Sequence, residues 1–178
     1  MSVSSVRISS LLTRLASPDE RLGGLGAGAI ACAMGLALFE ASLKTPPDHV
    51  PAATASQIVD VLAGLRNRVL RLANENAPSP LARYRIARRM LDLAIQALTY
   101  LQSALDWGNP AYLTDQEAGW RLVHAAMRTA IAEAEDRLRE LDPAIAEAER
   151  PSLETQAREG NELAIRAESN LAWRRGKI

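Results

Sequence analysis

The chain has 178 residues, enough for a single domain with a buried core. Its 21 basic residues balance its 21 acidic residues, so no general attraction to nucleic acid or to an anionic membrane is expected. Aromatic residues make up only 4% of the chain and alanine is abundant, a composition that favours close-packed helices over a β-sandwich. We therefore predict one all-α domain over residues 1–178.

The N-terminal stretch predicts a short first helix over residues 4–16. Its apolar residues have helical spacing, and Pro18 disfavours helical geometry at Ser17; they are Ile8, Leu11, Leu12 and Leu15. The stretch lacks the uninterrupted apolar core of a signal peptide. We therefore expect a cytoplasmic protein.

Residues 22–39 carry no charge and consist mostly of glycine and alanine. Each glycine inside a helix costs roughly 1 kcal/mol relative to alanine, so these glycines need a structural reason. A smooth surface of small residues lets another backbone, or a flat ligand, approach closely. We predict a buried central helix from Leu25 to Lys44, with its entrance at Gly23 to Gly28 as the functional corner. Cys32, the only cysteine, is expected to be a small buried hydrophobe.

The same stretch raises a transmembrane alternative, because about 18 apolar residues suffice to span a bilayer. Glycine and alanine are only weakly apolar, however, and the first residues of the stretch resemble a loop. The composition therefore favours the core helix of a soluble protein without a membrane partner.

Two further helices follow proline-rich connections. The first opens at Thr54 or Ala55 and has apolar residues at helical spacing, namely Ile58, Val61, Leu62, Leu65, Val69 and Leu72. Residues 74–80 break it. The second runs from about Pro80 to Asp106, and its apolar residues alternate in steps of three and four. That spacing is typical of a bundle seam.

The C-terminal part of the chain predicts helices alone. Thr114 and Glu117 fit a capping box that starts a helix reaching Leu141. Residues 144–150 form a short helical piece, and Ser152 caps a last helix that ends at about Trp173. No run alternates with period two, so we predict no strands. The fold expected is a bundle of five to six helices around the central helix.

Two motifs in this layout resemble the cyclodeaminase/cyclohydrolase family. The first is Leu11-Leu-Thr-Arg-Leu-Ala-Ser-Pro18 followed by Gly23-Gly-Leu-Gly-Ala-Gly-Ala-Ile30. It is similar to the family's helix ending in Leu-Ala-Ser-Pro and its glycine-rich helix start. The second is Gly108-Asn-Pro-Ala-Tyr-Leu-Thr-Asp115, similar to the family's Gly-Asn loop. Leu65-Arg66 also fits a leucine–arginine pair in the third helix, and the helix order agrees from end to end.

The resemblance implies an all-helical homodimer that acts in folate one-carbon chemistry. Members of the family hydrolyse the methenyl bridge of a reduced pterin or expel ammonia from its formimino group. A reduced folate or related pterin is then the substrate or ligand, with no tightly bound cofactor. The positions that match the family motifs are Asp115 and Glu75 as catalytic residues, and Gly23, Gly24, Gly26, Gly108 and Asn109 as substrate-binding residues.

The chain also departs from the family pattern. Leu22 and Leu25 replace a proline and a glycine at the first motif, and Ala111 replaces the second asparagine of the loop. The acidic segment expected after the third helix falls on residues 75–81, where only Glu75 retains a carboxylate. Two asparagines of the fifth helix fall on Glu133 and Arg137. The alternative is a diverged, non-catalytic homodimeric scaffold or a pterin-binding protein.

Two other groups of residues could contact a ligand or a metal, namely a cluster of arginines and the two histidines. Four arginines near the start of the fourth helix either hold the glutamate tail of a folate or form a solvated, salt-bridged face; they are Arg83, Arg85, Arg88 and Arg89. The two histidines, His49 and His124, have no cysteine or carboxylate partner at ligand spacing. We therefore expect no metal site.

Overall fold

The computed structural model describes residues 23–75 and 77–176, and these residues form an all-α bundle without strands. The α-helices of this part of the chain are α1 (Gly23–Leu43), α2 (Ala52–Leu72), α3 (Pro80–Ala104), α4 (Leu113–Arg139) and α5 (Pro143–Arg175). The predicted helix over residues 4–16 lies outside the described residues. The all-α prediction is confirmed.

Helix α1 lies against α4 on one side and α2 on the other. Its residues Cys32, Leu36 and Phe39 are fully buried in the core, as expected for a central helix. Burial raises the pKa of the Cys32 thiol to about 12, because the charged thiolate loses its solvation. Cys32 is thus a small core hydrophobe, as its apolar sequence context predicted.

A glycine pair allows α1 and α4 to cross closely. A Cβ atom on Gly119 would lie 2.6 Å from the carbonyl oxygen of Gly35, and a Cβ atom on Gly35 would lie 2.8 Å from Cγ2 of Val123. Real Cβ contacts are not this short, so each helix needs a glycine at the crossing. Close backbone packing therefore accounts for the helix-propensity cost of Gly35.

One face of α1 is not covered by the other described helices. Met34 is 54% exposed, Ala41 is exposed, and Ala31 and Leu38 are half-buried. Within the described residues, Gly24–Leu43 is also the one helical segment long and apolar enough to cross a membrane, with a mean hydropathy of 1.6. More than half of this segment, 56%, is buried inside the molecule, and the core helix of a soluble protein passes the same test.

The start of α4 differs from the sequence prediction. The helix begins at Leu113, directly after a 3₁₀ turn over Pro110–Tyr112, and its N-cap residue Tyr112 makes no side-chain capping bond. Thr114 therefore lies inside the helix rather than at its cap. Glu117 forms ion pairs with Arg121, at 2.6 Å, and with Arg175. The predicted capping box is wrong.

The C-terminal helix is continuous where the sequence predicted a break. Helix α5 starts after Asp142, whose side chain accepts a hydrogen bond from the Ala144 amide at 2.9 Å, and it continues through Pro151. Proline removes the amide that would bond to the carbonyl of Glu147 four residues earlier. Both Glu147 and Pro151 are exposed, so that carbonyl is on the solvent side of the helix, where the loss of the internal hydrogen bond is least costly.

Candidate functional site

The glycine-rich entrance lies beside the C-terminal half of α4. Gly23 and Gly24 open α1 and Gly26 is buried. A Cβ atom on Gly24 would lie 3.6 Å from Oε2 of Glu133. Glu133 accepts a hydrogen bond from Nη2 of Arg137 at 2.6 Å. This corner therefore holds a charged pair where the resemblance led us to expect two asparagines.

The hydrogen bonds of this charged pair are strong. Arg137 also donates from Nη1 to Glu140 at 2.5 Å, and these bonds raise the pKa of the guanidinium, with the bond to Glu133 as the largest cause. The guanidinium of Arg137 thus lies between two carboxylates, that of Glu133 and that of the C-cap residue Glu140. Arg137 thus binds Oε1 of Glu133, whereas the oxygen nearest the glycine corner is Oε2.

The predicted Gly108-Asn109 loop is tied to the C-terminal end of α1. The Asn109 side chain donates to the carbonyl of Thr45 at 3.1 Å and accepts from the Ala111 amide at 2.9 Å. Its backbone amide donates to the carbonyl of Ser42 at 3.4 Å. Asn109 thus acts as a structural clamp between this loop and α1.

A buried polar group, which the sequence reasoning missed, explains Gly108. A Cβ atom on Gly108 would lie 2.7 Å from Cδ of Gln116, which is fully buried. Arg174 donates to Oε1 of Gln116 at 3.1 Å and to the carbonyl of Gly108 at 3.3 Å. Burial lowers the pKa of Arg174. A polar residue on the apolar face of a predicted helix was the one available signal for Gln116.

Asp115 and the glycine corner lie at opposite ends of the bundle. Asp115 is half-buried in the first turn of α4, near the loop that contacts Ser42. The corner borders Glu133, which is about 27 Å further along α4 at a rise of 1.5 Å per residue. Within one chain, these two groups of predicted site residues do not line one ligand-sized cavity.

Glu75 lines a cavity of about 640 Å³. The cavity lies between the end of α2, the first turns of α3 and the start of α5. Its volume is in the range of small-molecule sites. The charged and hydroxyl-bearing residues that line it are Glu75, Ser79, Tyr84, Arg85, Arg88, Arg89 and Glu149.

A hydrogen-bond network fixes one arginine of this cavity. Arg88 donates from Nη1 to the Tyr84 hydroxyl at 2.7 Å and from Nη2 to the Ser152 hydroxyl at 2.9 Å. The Tyr84 hydroxyl donates to Glu149 at 3.2 Å, and burial raises the pKa of Tyr84. The Nε of Arg88 is buried and has no hydrogen-bond partner among the described residues.

The other arginines of this face differ in their partners. Arg83 pairs with Glu140 at 3.3 Å, away from the cavity, and Arg89 pairs with Glu75. Arg85 is exposed and has no ion pair within the described part of the chain. The salt-bridged face considered from the sequence thus accounts for Arg83 and Arg89, whereas Arg85 remains available.

A metal centre has no support in the described part of the chain. Residues 23–75 and 77–176 contain no group of three or more His, Cys, Asp or Glu side chains that could hold an ion. His124 instead packs against the Trp120 ring, with ring centroids 5.0 Å apart, and burial lowers its pKa.

Comparison with known proteins identifies the fold. No protein-family model and no curated protein matches the sequence. A crystal structure of formiminotetrahydrofolate cyclodeaminase from Thermotoga maritima superimposes with a TM-score of 0.81, covering 97% of this chain and 96% of that one. The chain has the cyclodeaminase fold. Sequence identity is 14%, so the likeness concerns the fold. Its near-complete coverage agrees with the end-to-end helix order that accompanied the two family motifs in the sequence.

Proposed function

We propose that this chain acts in the one-carbon chemistry of a reduced folate or related pterin and hydrolyses a methenyl bridge. The fold match to a cyclodeaminase over 97% of the chain carries the proposal. The cavity beside Glu75 supports it, because its volume suits a pterin and it is lined by two carboxylates, a tyrosine and three arginines.

The chemistry requires one positioned base. A water oxygen adds to the methenyl carbon while a carboxylate takes the water proton. One C–N bond of the hydroxyl adduct then breaks, the hydroxyl proton leaves as the C=O bond forms, the released nitrogen receives a proton, and the carbon remains as a formyl group. Carboxylates supply this type of general acid–base catalysis. Glu75 lies in the cavity and accepts a hydrogen bond from Arg89, so its role as base requires water to replace Arg89.

The second candidate function is a non-catalytic scaffold or pterin-binding protein with the same fold. Three observations favour it. Glu133 at the glycine corner is bonded to Arg137, and Asn109 is fully engaged as a clamp. Asp115 lies about 27 Å along α4 from that corner. A single chain therefore does not assemble all the predicted catalytic and substrate-binding residues around one ligand.

Loss of methenyltetrahydrofolate, followed by absorbance, separates the two functions. We expect the wild type to accelerate hydrolysis, and Glu75→Gln to lower the rate by about 10²–10⁴-fold, as for loss of a positioned base. Asp115→Asn tests the other predicted catalytic residue in the same assay. Asp136→Asn is the control, because Asp136 is exposed and its ion pair within the described residues is with its helical neighbour Arg139.

The outcomes are distinct. A wild type no faster than buffer rejects this activity and leaves the scaffold function. Turnover that survives both Glu75→Gln and Asp115→Asn keeps the enzyme and removes both residues from its site. A loss in Asp136→Asn equal to that in Glu75→Gln would assign the effect to stability.

We also propose that the protein is a homodimer. The uncovered face of α1 supports this assembly, since its exposed and half-buried residues include Met34 and Leu38 and carry no charge. An uncharged face can pack against its own copy across a two-fold axis without burying an unpaired charge.

A further inference from the structure

The cavity beside Glu75 has more positive charge than its own residues neutralise. It is lined by three arginines and two glutamates. Arg89 is paired with Glu75, and Arg88 with Glu149 at 3.5 Å. Arg85 has no ion pair within the described residues. The cavity therefore presents an unneutralised guanidinium.

Arg88 is held rigidly beside this free charge. Its side chain is 15% exposed, and bonds to Tyr84 and Ser152 fix the guanidinium in place. Its Nε is buried without a partner among the described residues, so one donor on this group is unsatisfied. A buried donor without a partner costs free energy.

The first turn of α3 contributes to the same environment. Ser79 caps the helix and lines the cavity, and its hydroxyl accepts from the Ala82 amide at 3.2 Å. Helix N-termini carry partial positive charge and favour anions. The arginine fork matches the oxygen geometry of carboxylate and phosphate groups. The arginines and the helix start therefore both favour a ligand with a carboxylate or phosphate group.

We propose that this cavity is a binding site for a ligand with carboxylate or phosphate groups, and that Glu75 is an exchangeable counter-ion. Arg85 and Arg88 bind the anionic group, and Glu75 competes with it for Arg89. The proposal does not depend on methenyl hydrolysis, since it concerns charge recognition and is measured without turnover.

Two substitutions should change the affinity of the cavity for an anion in opposite directions. Arg85→Gln removes the free guanidinium and weakens anion binding. Glu75→Gln removes the competing carboxylate, frees Arg89 and strengthens binding. Arg83→Gln is the matched control, because Arg83 lies on the same helix turn, pairs with Glu140 and does not line the cavity.

Titration calorimetry at low ionic strength, with glutarate and inorganic phosphate as separate probes, tests the site. We expect at least one probe to bind the wild type and Arg83→Gln equally. Arg85→Gln should weaken binding about tenfold or more, the loss expected for one charge-assisted hydrogen bond. Glu75→Gln should tighten it about two- to fivefold, the range for an exposed ion pair. Binding of glutarate alone assigns a carboxylate ligand, and binding of phosphate alone assigns a phosphate ligand.

Other results overturn the proposal. Absence of binding by both probes rejects the anion site. Equal binding by Arg85→Gln and Arg83→Gln shows that any binding lies elsewhere, provided that both variants unfold at the wild-type temperature. Weaker binding by Glu75→Gln rejects the counter-ion role. Since none of these results involves methenyltetrahydrofolate, failure here and failure of the hydrolysis assay are distinguishable.

Discussion

At the scale of single residues, Glu40 is the clearest departure from the apolar character of α1. It is 5% exposed, its Oε2 lies 3.2 Å from Nη1 of Arg66, and its Oε1 is buried without a hydrogen-bond partner among the described residues. Burial raises the pKa of Glu40 above its usual 4.5, and the charges of Arg66 and Lys44 only partly oppose this rise. The core thus contains a carboxylate that is harder to ionise than in the unfolded chain.

This shift predicts a pH-dependent stability. Because the folded state holds the Glu40 proton more tightly than the unfolded state, the contribution of Glu40 is fully present below about pH 4.5 and is lost as the pH rises through the raised folded pKa. As the pH rises from about 4 to about 7, the free energy of unfolding of Glu40→Gln should therefore fall by less than that of the wild type. Urea unfolding at both pH values measures the difference.

The exposed Asp136→Asn variant is the control for this prediction and should follow the wild type. Parallel pH dependences for the wild type and Glu40→Gln would contradict the role given to Glu40. The Arg66 that partners Glu40 belongs to the leucine–arginine pair noted in the sequence, so the structure gives that arginine a role in the core.

At the scale of helices, substitution by alanine should change the free energy of unfolding in opposite directions at two glycines, Gly35 in the crossing of α1 and α4 and Gly64 on the exposed face of α2. Gly35→Ala should lower the free energy of unfolding by about 1–3 kcal/mol, because the added Cβ overpacks a backbone contact. Gly64→Ala should raise it by about 0.5–1 kcal/mol. Gly64 is exposed on α2, and a Cβ atom added there would have no neighbour within 4 Å, so only the helix-propensity gain remains.

Chemical denaturation of the two variants beside the wild type checks this pair. A Gly35→Ala variant at least as stable as the wild type would show that the helices separate at little cost. Since Gly64→Ala makes the same chemical change in an open position, it separates the steric effect from the intrinsic preference of alanine for helices.

At the scale of the whole molecule, the uncovered face of α1 predicts the oligomeric state. We expect the wild type to be a dimer by light scattering at micromolar concentration, and Met34→Glu to be a monomer, because the substitution places a charge in the apolar interface. Ile165→Glu is the matched control. Ile165 is 64% exposed on α5, away from α1, and its substitution should leave the dimer intact. A monomeric wild type would reject the interface.

Much of the helical layout follows from the sequence by itself. The periodic apolar residues of α2 and α3, the prolines between helices and the charge-free stretch around Cys32 all act through neighbours one or two turns away. Such local interactions determine where a helix forms and which face is apolar. The burial of Cys32 and the all-α fold were accordingly predictable.

Which of the candidate site residues lie close together was decided by the tertiary structure. Whether Pro151 interrupts α5 depends on the exposure of the carbonyl that its ring leaves unpaired. The role of Thr114 depends on a 3₁₀ turn that places the N-cap of α4 two residues earlier, at Tyr112. The separation of Asp115 from the glycine corner follows from how α4 runs along α1. The cavity beside Glu75 is closed on one side by Glu149 of α5, and Ser152 of the same helix holds Arg88. Periodicity specifies faces within a helix, whereas helix crossing and register determine which distant side chains meet, because packing between helices sets them.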